Sequence, residues 1–258
     1  MSKIASAFDH GKAFIPFITC GDPQLKVTED ILKAMADNGA DLIELGIPFS
    51  DPTAEGPVIQ GANIRALQNS VTTDDVFEMV ARVRSTIKVP LVFMTYANVV
   101  FSYGIEKFAQ AQKDTDMDGL ILPDVPFEEK NEFAPAFRER GLDFISLIAP
   151  TSDQRVGMIA KEAEGFVYCV SSMGVTGMRD SLSTSGEHLA EEVKKYTDVP
   201  AAIGFGIHSP EQARENAQHA DGVIVGSAIV NLVAEHGADA VPYVADYVKS
   251  MKDAISNI

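Results

Sequence analysis

Short apolar segments alternate with longer amphipathic segments along the whole chain. The apolar segments are rich in Val, Ile and Phe and begin near Phe14, Leu42, Leu91, Leu120, Phe144, Phe166, Ala201 and Val223. Each segment between them is long enough for a crossover helix. Strands that are apolar throughout and separated by helices are typical of a parallel sheet covered on both faces.

The amphipathic segments carry apolar residues at helical spacing. This spacing predicts helices over Leu25–Asn38, Asp75–Ser85, Glu129–Arg140 and Pro210–Gln218. Similar short phrases introduce three strands, which indicates tight helix-to-strand turns: Gly39-Ala40-Asp41, Asp118-Gly119 and Asp221-Gly222. Eight strand–helix units in 258 residues, with no long polar linker, predict an α/β fold: one (β/α)8 TIM barrel domain over residues 1–258.

Two connections are longer than a turn requires. They are Phe49–Gly61, after the second strand, and Ser171–Glu187, after the sixth. Loops that follow barrel strands lie on the carboxyl face, where active sites are found. We therefore expect both to border the site, as lids do.

Composition restricts the partners and the compartment. Asp and Glu number 37 against 21 Lys and Arg, a net charge of −16, which disfavours nucleic acid and anionic membranes as partners. The sequence contains neither a signal-peptide pattern nor an apolar run of roughly 18 residues. Cys20 and Cys169 stand in apolar segments without a ligand-spaced partner, so we expect buried thiols in a cytoplasmic protein.

Glu44 is the strongest candidate for chemistry. It stands between Ile43 and Leu45 in a predicted strand. Loss of solvation raises the pKa of a buried carboxyl into the range useful for acid–base catalysis. The alternative is a buried ion pair, but no predicted strand core contains Lys or Arg. Glu55 follows in the loop; by itself it could be a solvated charge, and Asp51 could turn the loop.

Glycines after the last two strands form a candidate phosphate site. Gly204-Phe205-Gly206 ends the seventh strand, and Gly226-Ser227 opens a short predicted helix after the eighth. Backbone N–H groups at a helix start bind anions, and phosphate sites recur at this place in barrels. The alternative is that the glycines only make tight turns.

The remaining polar residues at strand ends are less specific. Asp124, Tyr96 and Asn98 could brace loops or touch a ligand, and Met94 and Phe205 are expected in the core or the pocket wall. No Lys lies at a strand end for a Schiff base, and no His–carboxylate cluster indicates a metal. The residues themselves thus predict a lyase or isomerase that acts on a phosphorylated small molecule by proton transfer.

At the same positions the sequence resembles the tryptophan synthase alpha subunit family. The matching phrases run in order along nearly the whole chain: Phe14-Ile-Pro-Phe-Ile-Thr-Cys-Gly-Asp-Pro23, Glu44-Leu-Gly-Ile-Pro-Phe-Ser-Asp-Pro52, Gly56-Pro-Val-Ile-Gln60, Met94-Thr-Tyr-Ala-Asn98, Asp124-Val-Pro126, Gly174-Val-Thr-Gly177, Gly204-Phe-Gly206 and Gly226-Ser-Ala-Ile-Val230. The resemblance implies cofactor-free retro-aldol cleavage of indole-3-glycerol phosphate to indole and glyceraldehyde 3-phosphate.

The resemblance also implies a role for each matching residue. Glu44 would be the acid at indole C3 and the base at the glycerol hydroxyl, and Glu55 would hold the indole N–H. The substrate pocket would be formed by Phe17, Tyr96, Ile121, Tyr168, Thr176 and Phe205. The phosphate would be held by Gly177, Gly206, Gly226 and Ser227. The family usually has Asp where this chain has Glu55, so the carboxylate here reaches about 1.5 Å further.

The family works as an α2β2 complex with a beta subunit. The pyridoxal phosphate belongs to that partner, which joins the transferred indole to serine, and no cofactor is expected in this chain. Pro48, Asp51 and Asn98 match residues that face the partner. Two alternatives stay open: a phosphosugar or histidine-pathway isomerase, and a barrel without catalysis that acts as an allosteric partner. Isomerases usually need paired Asp or Cys–Asp at opposite strand ends, which this chain lacks, and the retained carboxylates disfavour loss of catalysis.

Overall fold

Eight parallel strands close into a barrel in the computed structural model, which describes residues 3–151, 153–170, 185–204 and 206–258. The strands are Ala13–Thr19 (β1), Ile43–Gly46 (β2), Leu91–Met94 (β3), Gly119–Ile121 (β4), Asp143–Ile148 (β5), Val167–Val170 (β6), Ala201–Gly204 (β7) and Gly222–Val225 (β8). Each strand pairs with the next, and β1 pairs with β8 in the register Ala13↔Gly222 to Pro16↔Val225. The predicted (β/α)8 fold is confirmed.

Helices follow the strands and cover the outside of the barrel. The α-helices are Leu25–Asp37 (α1), Pro57–Gln68 (α2), Thr73–Arg84 (α3), Ala97–Tyr103 (α4), Ile105–Asp114 (α5), Ala134–Arg138 (α6), Asp153–Ala160 (α7), Ser185–Val193 (α8), Pro210–His219 (α9), Ser227–His236 (α10) and Val241–Ile255 (α11). Short 3-10 helices occupy Ala5–Phe8, Phe127–Glu132 and Gly237–Asp239. In the described ranges, none of the helices is long and apolar enough to span a membrane.

Two predicted segments differ from the structure. The helix predicted over Glu129–Arg140 is divided into the 3-10 helix Phe127–Glu132 and α6. Pro135 is the reason, because it lacks an amide hydrogen and its ring opposes a continuous helix through this point. The connection Phe49–Gly61 is shorter than expected, since α2 begins at Pro57, a residue suited to the first helical turn.

The two faces of each strand supply two separate apolar layers. Phe14, Ile18 and Phe93 point outward and pack under the helices, in the larger layer of buried residues. Phe17 and Val92 point inward and belong to a smaller cluster that fills the barrel. The period-two alternation of strands therefore decides which residues can reach a site inside the barrel.

Four acidic side chains hold the amino ends of alternate strands. The carboxylates accept the N–H of the first or second residue of the preceding strand at 2.7–3.1 Å, in the pairs Asp41–Phe14, Asp118–Leu91, Glu164–Phe144 and Asp221–Ala201. Three of these acids belong to the short phrases that introduce strands in the sequence. With Glu164, the four acids hydrogen-bond backbone groups at the start of strands β1, β3, β5 and β7.

Each of the four carboxylates is also paired with a cation. Asp41 pairs with Lys252 at 2.7 Å, Asp118 with Arg84 at 2.8 Å and Asp221 with Lys194 at 2.8 Å. Glu164 pairs with Arg138. The amino end of the barrel is thus a ring of satisfied charges, as expected for the face that stabilises such a fold.

Asp118→Ala should destabilise the protein strongly. The Asp118 and Arg84 side chains are only 4% and 10% exposed. The change leaves the buried Leu91 N–H without its acceptor and removes one carboxylate from Arg84, which keeps Asp116 and the Val89 carbonyl as partners. We expect the free energy of unfolding to fall by about 2–4 kcal/mol in urea titrations, the scale of a lost charged hydrogen bond together with an unsatisfied buried donor. Asp30→Ala, which removes an exposed pair with Lys26 on α1, should cost below about 1 kcal/mol. Equal losses would contradict the role of the ring.

Candidate active site

Glu44 lies inside the barrel, on β2. The strand register places it between Phe17 of β1 and Val92 of β3, both of which point inward. Its side chain is 1% exposed, because apolar neighbours fill the barrel on both sides. The predicted burial of this carboxyl is therefore confirmed.

The Glu44 carboxyl is unusual because none of the described residues compensates its charge. Neither carboxyl oxygen has a hydrogen-bond partner in the part of the chain that the structure describes, and no described cation pairs with it. Burial raises the pKa of Glu44 to about 8. The buried ion pair considered for this residue is not formed among the described residues, and the carboxyl can exist in both protonation states near neutral pH.

Tyr168 lies close enough to Glu44 for their charges to interact. Burial, and then the charge of Glu44, raise the pKa of the Tyr168 phenol well above its ordinary value. The phenol oxygen covers Gly204 at the end of β7: a Cβ built there would lie 2.5 Å from it. Glycine at position 204 thus leaves the room that the Tyr168 side chain occupies inside the barrel.

Glu55 is a second buried carboxyl, 5% exposed, in the loop between β2 and α2. Asn63 of α2 donates a hydrogen bond of 2.8 Å to its Oε2. Burial raises the pKa of Glu55 to about 7, while hydrogen bonds from Asn63 and Tyr96 oppose that shift. The alternative of a solvated loop charge is wrong, because the carboxylate is covered and held by two donors.

The residues expected at a partner subunit have different environments. Asp51 is exposed and accepts a hydrogen bond of 2.5 Å from Ser50, and Asn98 is exposed on the first turn of α4. Pro48 is buried, since it continues the apolar end of β2 beyond Ile47. Asp51 and Asn98 are thus accessible in the chain by itself, whereas Pro48 is covered, and the place of all three at a partner subunit stays a prediction.

Three of the four predicted phosphate residues, Gly206, Gly226 and Ser227, lie at the carboxyl end of the barrel. Gly206 has φ +87°, a conformation that favours glycine, and Gly226 is the N-cap of α10, which begins at Ser227. A Cβ at Gly226 would lie 3.3 Å from Phe17 and 3.6 Å from Ile59. Phe17 neighbours Glu44, so the start of α10 lies one side chain away from the buried carboxyl.

A cavity of about 910 Å³ opens next to the loop that carries Glu55, at the carboxyl ends of β3, β4 and β5. Its walls include Met94 and Ile145 from the barrel interior and Ala54, which precedes Glu55. Ile121 is buried between Met94 and Ile145 in the strand register. Met94 aligns with Gly46, so Glu44 lies one inward-facing layer deeper than these walls. This volume is ordinary for a small-molecule site.

Some expectations are not tested by these contacts. Thr176, Gly177 and Phe205 lie outside the described residues. Asp124 braces a loop: its carboxylate accepts the N–H of Ala97 at 3.0 Å, at the start of α4. No group of three or more potential metal ligands occurs in the described ranges.

Asn63 is the site residue that the sequence analysis missed. It is 4% exposed and contacts Glu55, eight residues earlier in the chain. A buried Asn on the apolar side of a helix is the signal that could have indicated it, since such a polar group needs partners.

Comparisons with known proteins give a consistent result. A family model described as tryptophan synthase alpha chain matches residues 5–256. The tryptophan synthase alpha chain of Lacticaseibacillus casei is 49% identical over 255 residues, which cover 99% of this chain and 96% of the relative.

Solved structures show the same similarity. Tryptophan synthase subunit alpha from Legionella pneumophila has a TM-score of 0.90 at 36% identity, covering 100% of both chains. A chain of the tryptophan synthase complex from Pyrococcus furiosus has a TM-score of 0.87 at 33% identity, covering 94% of this chain and 98% of that one.

The raised pKa of Glu44 predicts how the free energy of unfolding changes with pH. Between about pH 4.5 and 8 the folded state binds the Glu44 proton more tightly than the unfolded state does, so the parent loses stability as pH rises through this window. Glu44→Gln carries no such proton. The variant should therefore gain stability relative to the parent from pH 5 to pH 8, by on the order of 3 kcal/mol. Urea unfolding at both pH values measures this; a difference that does not change with pH would contradict the raised pKa.

Proposed function

The chain belongs to the tryptophan synthase alpha chain family, and we propose that Glu44 is the acid–base group of its reaction and Glu55 the second catalytic carboxylate. The lyase reaction of this family cleaves indole-3-glycerol phosphate to indole and glyceraldehyde 3-phosphate in L-tryptophan biosynthesis. The observation that carries this proposal is the Glu44 carboxyl. It is buried, lacks a partner among the described residues, and lies one layer below a substrate-sized cavity.

Glu44 can supply both proton transfers of the cleavage. With a pKa of about 8 it is protonated near neutral pH and donates its proton to indole C3. The resulting carboxylate then takes the proton of the glycerol hydroxyl. As the C–C bond breaks, its electrons return to the ring, so indole and the aldehyde are released and Glu44 is protonated again. No external acid or base is consumed.

Glu55 would stabilise the positive charge that forms on the substrate during the cleavage. Protonation at C3 creates positive charge on the indole nitrogen, and a carboxylate held beside it stabilises that charge. Two hydrogen-bond donors favour the ionised form of Glu55 against the effect of burial, which leaves its pKa at about 7. The two carboxyls thus differ in environment as their roles require: Glu44 has no donor among the described residues, whereas Glu55 has two.

The phosphate group is proposed to bind at the ends of β7 and β8. Gly206, Gly226 and Ser227, with Gly177, would present backbone N–H groups, and the first turn of α10 adds free donors and its dipole. The indole and glycerol parts would then contact the remaining pocket residues: Phe17, Tyr96, Ile121, Tyr168, Thr176 and Phe205. Phe17 lies between Glu44 and Gly226, as a residue under the substrate should.

We propose that the chain assembles with a beta subunit as α2β2 and passes indole to it. The exposed Asp51 and Asn98 supply accessible polar groups for that contact, and the similar Pyrococcus furiosus chain comes from a complex. Pyridoxal phosphate would be held by the beta subunit, with no cofactor in this chain. Two free, buried cysteines suit the reducing cytoplasm, where we place the enzyme.

Glu44→Gln tests the central assignment. Gln keeps the shape but cannot transfer the proton, so kcat for indole release should fall by about 10² or more. The affinity for indole-3-glycerol phosphate should change little. Glu106→Gln, at an exposed residue of α5, should leave kcat unchanged. An indole assay in the presence of a beta subunit measures both variants, and near-normal turnover of Glu44→Gln would remove Glu44 from the mechanism.

Ser227→Asp tests the phosphate site. A carboxylate at the first residue of α10 would repel the phosphate and occupy the helix N-terminus itself. We expect KM to rise at least about tenfold, a loss of about 1.4 kcal/mol in binding, with a smaller effect on kcat. Ser227→Ala keeps the backbone N–H and should stay within a few-fold of the parent. An unchanged KM for Ser227→Asp would place the phosphate elsewhere.

A further inference from the structure

The side chain of Asn63 connects both ends of the loop that carries Glu55. Its Oδ1 accepts the N–H of Phe49 at 3.1 Å. Its Nδ2 donates to Glu55 Oε2 at 2.8 Å and to the Ile59 carbonyl of its own helix at 3.0 Å. One planar amide thus joins the start of the loop, the carboxylate near its end, and α2.

The groups around position 63 require a side chain that both accepts and donates hydrogen bonds, as an amide does. Phe49 offers a donor, whereas Glu55 and Ile59 offer acceptors, so the group between them needs one acceptor and two donors. Asn provides these on a short, stiff side chain that is 4% exposed. A buried amide that lost these bonds would be costly, and this cost holds the loop in one arrangement.

A second residue, Tyr96, also contacts both ends of this loop. The ring of Tyr96 stacks on Phe49 with centroids 5.2 Å apart. Its hydroxyl accepts the N–H of Ala54 at 3.1 Å and hydrogen-bonds Glu55. The charged and titratable groups facing this arrangement are Glu55, Tyr96 and Asp124. Glu55 therefore lies between two donors, one on α2 and one at the start of α4.

We propose that Asn63 is a positioning residue of the reaction, which fixes the Glu55 carboxylate for the indole nitrogen and ties it to the loop at Phe49. The inference rests on the proposed role of Glu55. It also accounts for the longer side chain at position 55: with one oxygen held by α2, the extra methylene is accommodated in a fixed conformation. Asn63 acts through Glu55 and performs no proton transfer itself.

Asn63→Leu and Asn63→Asp separate the two connections. Leu removes every hydrogen bond of the amide, whereas Asp keeps an acceptor for the Phe49 N–H and removes only the donors. Both should lower kcat/KM for indole release by about tenfold to a hundredfold, the scale of one hydrogen bond to a charged group. Asn69→Leu is the matched control: Asn69 caps α2 and bonds the Pro23 carbonyl, so its loss should affect stability and leave the pH profile unchanged.

The pH profile distinguishes positioning from a structural role. The Asn63 hydrogen bond favours the ionised form of Glu55, so its loss should raise the pKa of Glu55 above its value of about 7. The acidic limb of the kcat/KM profile should then move to higher pH in Asn63→Leu, and also in Asn63→Asp, where a second carboxylate adds repulsion. An unmoved limb in both variants would overturn the proposal.

A double-mutant cycle separates this proposal from the one on which it rests. In a Glu55→Gln background, Asn63→Leu should cause little further loss, because the charge that it positions is absent. If Glu55→Gln alone turns over like the parent, Glu55 is not catalytic and the proposed function fails at that residue. If Glu55→Gln is impaired and the Asn63→Leu loss is fully additive to it, Glu55 stands and the positioning role of Asn63 is wrong.

Discussion

Closure of the barrel by the pairing of β1 with β8 is the constraint on which the other features depend. Once the register Ala13↔Gly222 is set, every strand has one face inside a closed ring and one face under the helices. Phe17 and Glu44 then point into the ring together. A register slip of one residue would exchange the faces and place Glu44 among the apolar side chains under the helices. The site therefore depends on the same hydrogen bonds that close the sheet.

Carboxylates at the two ends of the barrel have opposite environments. At the amino end, acids such as Asp118 accept a strand N–H and pair with a cation, so their charge is satisfied. Toward the carboxyl end, Glu44 is buried with no such partner in the described ranges, and its pKa rises to about 8. The first arrangement stabilises the fold. The burial of Glu44 lowers stability at neutral pH and leaves a carboxyl that can exchange its proton. Buried polar groups without partners are common at functional sites.

The loop after β2 shows how a departure from the family pattern can be accommodated. The extra methylene of Glu55 does not carry its charge into solvent, because the side chain is 5% exposed and bonded to α2. Asn63 and Tyr96 hold that carboxylate from two helices. Ile59, one turn before Asn63 on α2, packs against the position of Gly226. The same helix thus contacts both the second carboxylate and the proposed phosphate site, which ties the two ends of the substrate pocket to one rigid element.

The sequence by itself determined the barrel, the order of its strands and the burial of Glu44, because apolar runs and their spacing are local properties that the chain carries at every position. Each strand starts within one residue of its predicted start. The sequence also indicated Gly206, whose backbone conformation favours glycine, and Gly226, which precedes the first residue of α10. It did not decide whether Glu55 was buried, it did not show that Pro48 is covered, and it overlooked Asn63. Those features come from contacts between segments: an amide of α2 facing a loop backbone, a proline covered at the end of β2, and acids such as Asp41 that meet Lys252 from the far end of the chain. No spacing along the chain encodes such contacts, because their distances are set only when the barrel closes.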